Sequence, residues 1–88
     1  MPNRTKATLR DLRTAEVHLQ HLRERDRLFT RGMELTREVL SSNLPPHEMI
    51  SQLRQLMTEG DMDLRVAQRH HELRLQELQT ITKFPDEE

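Results

Sequence analysis

Nine positions of this chain, Leu12, Ala15, Leu19, Leu22, Asp26, Phe29, Met33, Thr36 and Leu40, alternate three and four residues apart. Only an α-helix brings residues at that spacing onto one face. A repeat held for about four heptads therefore predicts a long amphipathic helix with a seam that packs on another helix. Asp26 and Thr36 are polar members of the repeat, the kind of seam residue that sets register at some cost in stability. The second half repeats the pattern through Ile50, Leu53, Met57, Gly60, Leu64, Ala67, His71, Leu75 and Leu78.

Between the two runs lies one breaker cluster, Ser41-Ser42-Asn43-Leu44-Pro45-Pro46, which combines weak helix formers with two residues lacking an amide proton. Asn43 is the expected cap of the second helix, with both prolines in its first turn and Leu44 as a staple against Met49 or Ile50. Thr8 and Asp11 form a capping-box pattern for the first helix, with Thr5 as an alternative cap. The reading is a single all-α domain: helix from about 5 to 42, turn at about 43 to 46, helix from about 46 to 83, acidic tail over 84–88. Gly60-Asp61 could instead stop one helix and cap another, which would give three helices. The seam passes through Gly60 unshifted, and two equal segments of about 56 Å each match end to end, so an antiparallel two-helix hairpin, kinked or straight at Gly60, is preferred.

Composition agrees. Leu, Arg, Glu and Gln abound, while β-branched and aromatic residues are scarce. Leu, Ile, Val and Phe make up only 21 of 88 residues, a thin supply for a core. No cysteine is present, which excludes disulfides, thiolate metal sites and thiol catalysis. Two glycines cannot build a phosphate-cradling loop, and no apolar run is long enough for a signal or a membrane span. The expectation is a soluble, cytoplasmic protein without a cofactor. Residues 1–44 carry nine basic against six acidic side chains and residues 45–88 five against nine, so the halves attract one another.

Two packed helices bury only their facing stripes. Leu28, Leu35 and Val39 flank the first seam, and Met62, Val66 and Leu73 lie nearly opposite the second, so these six are the expected partner-binding residues, in a homodimer or against a helix of another protein.

Two side-chain groups call for a chemical reading. With the turn centred near residue 44, His18 faces His70, and His21 and His71 lie close by, a set that could gather about a transition metal. No carboxylate is placed to complete such a site. Protonation of crowded imidazoles in mild acid is the broader expectation. Arg23, Arg27 and Arg31 line one face at i, i+4 and i+8, a spacing that suits nucleic-acid phosphates. Interleaved Glu24, Asp26, Glu34 and Glu38, a net charge of −1 and the lack of stacking aromatics favour a salt-bridged solvent face instead. No arrangement of Ser, His and Asp suggests catalysis.

The turn Asn43-Leu44-Pro45-Pro46-His47-Glu48 and the hairpin outline resemble the small helical-hairpin export chaperones of bacterial type III secretion, although both helices here are longer. That resemblance implies a helical adaptor or chaperone that holds an amphipathic helix of a partner. The sequence therefore reads as a non-enzymatic protein–protein interaction module, with a small nucleic-acid-associated regulator as the alternative.

Overall fold

The computed structural model describes residues 8–87; the alternative cap Thr5 and the last tail residue Glu88 lie outside them. Helix α1 spans Leu9–Ser41, helix α2 spans Pro46–Thr80, and a 3-10 turn covers Pro85–Glu87. The two long helices pack against each other as a hairpin, 65 × 29 × 17 Å overall. A thickness of 17 Å is little more than one helix with its side chains, about 10 to 12 Å. The hairpin is a single layer, whereas stable domains stack two.

The start of α1 follows the expected capping box. The Asp11 amide donates to Thr8 Oγ1 and the Thr8 amide donates to Asp11 Oδ2, each at 3.1 Å. The start of α2 differs from expectation: its cap is Pro45, with Pro46 in the first turn and no side-chain hydrogen bond, and Asn43 stands exposed. Pro46 has no amide to satisfy, and the Glu48 and Met49 amides both donate to the Pro45 carbonyl at 3.0 Å, so the first turn closes on backbone groups without an Asn cap. Helix α2 runs unbroken through Gly60, which does not adopt the positive φ a glycine stop requires, so the chain does not adopt the three-helix alternative. It ends at Thr80, three residues earlier than expected.

The acidic end is docked. The Leu9 amide, at the first turn of α1, donates to Asp86 Oδ2 at 2.6 Å, and the helix dipole favours that carboxylate. Arg10 reaches across to donate to the carbonyls of Leu78 and Ile81, at 3.4 and 2.8 Å, and pairs with Glu87 at 3.2 Å. Phe84 is buried beneath its guanidinium. These contacts join the two open ends of the hairpin.

Which stripe of α1 faces α2 is the main correction to the sequence reading. Val17, His21, Glu24, Leu28, Leu35 and Val39 are the positions turned toward α2, buried or half-buried, with Arg10 and Thr14 at the open end. The richer repeat is outside: Leu12, Leu19, Leu22, Phe29, Met33 and Leu40 are 47% to 58% exposed. On α2 the expected seam largely holds, with Ala67 at 1% exposure and Leu53, Leu64, His71, Leu75 and Leu78 half-buried, but Met49 and Leu56 replace Ile50 and Met57. The inner stripe brings polar groups of the two helices together, although Nη1 of Arg74 and Nδ1 of His21 and of His71 stay without hydrogen bonds. Glu24 lies 3.8 Å from Arg74, His21 and His18 meet His71, and Arg10 finds the carbonyls that end α2. The Leu-rich stripe offers α2 no such partners.

Candidate partner-binding surface

Three features of the hairpin offer chemistry to a partner. The first is the uncovered stripe of α1, which runs from Leu12 to Leu40 and spans about 42 Å at 1.5 Å per residue. At its turn-proximal end it merges with α2, because Phe29, Met33 and Thr36 line the same 920 Å³ cavity as Met57 and Leu53. Gly32 and Gly60 are among its lining residues. A Cβ placed on either would meet nothing within 4 Å. Arg31 and Arg37 from α1 and Glu59, Asp61 and Asp63 from α2 also line the cavity, adding charge to its apolar wall.

Of the six residues expected to contact a partner, Met62, Val66 and Leu73 are exposed on α2. Leu28, Leu35 and Val39 are not a spare stripe of α1; they are half-buried between the helices, Leu28 and Leu35 in the cavity wall. The residues that sequence reasoning assigned to the inside, Leu12, Leu19, Leu22, Phe29, Met33 and Leu40, form the larger uncovered surface. The available signal was that α1 carries two overlapping three-four repeats, one purely apolar in its ends and one punctuated by His21 and Glu24. Only the second has polar counterparts on α2.

The second feature is a histidine group of three members, not four. His21 stacks on His71 with ring centroids 4.2 Å apart, and His18 Nδ1 lies 3.0 Å from His71 Nε2, close enough for one ring to donate to the other. His70 is exposed and outside the group, since adjacent helical residues diverge by about 100°. Rings that stack and hydrogen-bond to each other do not converge on a common point, and among the described residues no group of three or more His, Asp or Glu side chains is arranged to hold a metal ion. Burial away from water holds His71 below the ordinary imidazole range, and His21, His18 and Arg74 add positive neighbours; Glu72 opposes them. Nδ1 of His21 and of His71 are buried without a hydrogen-bond partner.

The third is the arginine face. Arg23, Arg27 and Arg31 are exposed, and among the described residues none forms an ion pair with the interleaved carboxylates. The expected salt-bridged face is therefore absent there: Glu24 turns inward to Arg74 instead.

No described helix is long and apolar enough to cross a membrane. No protein family, curated protein or solved structure was found to match the chain.

Proposed function

We propose that this protein is a non-enzymatic protein–protein interaction module, a helical hairpin that works as an adaptor or chaperone by offering an apolar helix face to another helix. The observation that carries this reading is the exposure of the α1 stripe. Six large apolar side chains, spaced for helix-on-helix packing over about 42 Å, face solvent while a less apolar stripe fills the hairpin. Exposed apolar side chains along that length, interrupted by Asp26, are the surface an interaction site presents. The elongated outline of a helical hairpin is compatible with the adaptor and chaperone roles implied by its resemblance to secretion chaperones.

A photo-crosslinking residue at Leu22, on the stripe, and another at Arg54, on an exposed polar position of α2, test the reading in the native cell. Adducts from Leu22 and none from Arg54 support it. Absence of any adduct from Leu22 overturns it.

A second reading, a nucleic-acid-associated regulator, is favoured by the unpaired Arg23, Arg27 and Arg31. Its mark would be binding to generic duplex that weakens steeply as salt rises, with a slope that falls when the three arginines are replaced.

A further inference from the structure

The proposed function leaves open what covers the α1 stripe. We infer that its occupant is a second copy of this chain, paired antiparallel through α1 so that the Leu12 end of one stripe lies against the Leu40 end of the other. This inference rests on the interaction reading above and names the partner.

Surface area points to a missing partner of comparable size. A folded monomer of 10.5 kDa exposes about 5,400 Å² by the usual scaling with mass, whereas this chain exposes 7534 Å². The excess of about 2,100 Å² is what one subunit gives up in a large permanent dimer, where the two partners together bury roughly 2,000 to 5,000 Å². The radius of gyration agrees: 20.2 Å against about 12 Å for a compact chain of 88 residues. A short docked peptide would cover only part of that excess. A second hairpin turns one layer of helices into two, the arrangement in which helices bury their remaining faces.

Charge selects the direction. If Leu12, Leu19, Asp26, Met33 and Leu40 occupy one core position of the heptad, and Ala15, Leu22, Phe29 and Thr36 the other, the flanking positions follow. Parallel pairing sets each flanking residue against one five positions on in the second copy. Asp11 would face Glu16, and His18 would face Arg23, a contact that repels once His18 is protonated. Antiparallel pairing centred on residue 26, the midpoint of the stripe, sets Glu16 beside Arg37 of the second copy, twice by symmetry. In that arrangement Leu19 meets Met33, Leu12 meets Leu40, and Asp26 and Arg25 of each copy come together with Asp26 and Arg25 of the other near the axis, where the opposite charges offset the two like-charge contacts. All of Glu16, Arg23, Arg25, Arg27 and Arg37 are exposed on the hairpin; Glu16 pairs within α1 with Arg13 at 3.0 Å, a surface pair that it would share with or exchange for Arg37 of the second copy. The merging of the stripe with Met57 at the cavity lets α2 extend the contact near each turn.

The absence of native cysteine makes direction directly readable. Single variants Leu12→Cys, Asp26→Cys and Leu40→Cys, all at exposed positions, are purified as full chains and oxidised. Antiparallel pairing predicts that Asp26→Cys links to itself, that Leu12→Cys and Leu40→Cys do not, and that a mixture of the last two gives a mixed dimer. Sedimentation equilibrium of the unaltered chain is expected to return twice the 10.5 kDa chain mass. Glu16→Arg and Arg37→Glu should each weaken association roughly 10-fold, and the double exchange should restore it. Leu22→Lys, which touches nothing in the hairpin seam, should give a monomer with unchanged helicity. Self-linking of all three cysteine variants would overturn the antiparallel arrangement. A monomer at millimolar concentration would overturn self-pairing altogether; adducts to other proteins from Leu22 in cells would then leave the interaction reading standing, and their absence would end both.

Discussion

The guanidinium of Arg10 lies over the ring of Phe84, 4.7 Å from its centroid, and this one contact joins the first turn of α1 to the segment after α2. The same guanidinium reaches the carbonyls of Leu78 and Ile81 and the carboxylate of Glu87. A two-helix hairpin frays at its open end unless something ties the ends, because no loop connects them there. Arg10 is that tie. Arg10→Ala should lower unfolding free energy by about 2 kcal/mol in a urea titration, counting the carbonyl bonds and the cation–π contact and discounting the half-exposed ion pair. Arg10→Lys should recover little of it, since an ammonium cannot span both carbonyls and the ring. An unchanged midpoint for Arg10→Ala would show that the tie contributes nothing.

Stability should fall in mild acid through His71. Its folded pKa lies below the ordinary 6.5, first because it is removed from water and then because of His21, His18 and Arg74, with Glu72 acting the other way and Glu24 facing Arg74. The unfolded chain therefore binds the proton more readily than the folded one. Stability is full above pH 6.5 and declines as pH drops below it, toward the lower folded pKa. Thermal melts at about pH 7.5 and about pH 5.5 should show a larger loss for the unaltered chain than for His71→Gln. Equal losses would assign the effect to other groups.

Glu87 adds a separate transition at lower pH. The Phe84 amide and then Arg10 hydrogen-bond its carboxylate and hold its pKa below the usual 4.5. A depressed carboxylate contributes above its unfolded pKa and loses that contribution as pH falls through the folded value. Glu87→Gln should flatten the pH dependence of stability below about pH 4.5 and leave the His71 step intact.

Replacing the two helical glycines should stabilise the hairpin. Neither Gly32 nor Gly60 has positive φ, and a Cβ on either meets no atom within 4 Å. Gly32→Ala and Gly60→Ala should each raise unfolding free energy by about 1 kcal/mol through helix propensity. A fall in the urea midpoint for either would mean that the backbone needs glycine there for a reason the hairpin does not contain.

Leu28 and Leu22 should separate folding from association. Leu28 is half-buried between the helices, and Leu28→Ala should cost about 2 kcal/mol, the low end for a Leu truncation, at any protein concentration. Leu22 is 58% exposed, so Leu22→Ala should leave a dilute hairpin nearly unchanged and lower the melting temperature only where the chain associates. Concentration-independent loss for Leu22→Ala would place it back inside the hairpin. Asp26→Leu, which removes the polar break in the outer stripe, should tighten association.

The elements themselves were legible in the sequence. Three-four spacing, the Thr8 and Asp11 capping box and the Pro45-Pro46 break define two long helices and one reversal, because these depend on backbone geometry within a few residues. The facing of α1 was not legible. Both of its stripes satisfy the spacing rule, and hydrophobicity alone favours the one containing Leu12, Leu19 and Leu22. The inner stripe meets α2 through contacts between residues fifty or more positions apart: Glu24 with Arg74, His21 with His71, Arg10 with the end of α2. A periodic pattern shows which residues share a face; it does not say which face meets which partner. Only the tertiary structure decided that, because polar side chains pair by position and distance, whereas apolar burial is nearly indifferent to which neighbour supplies the cover.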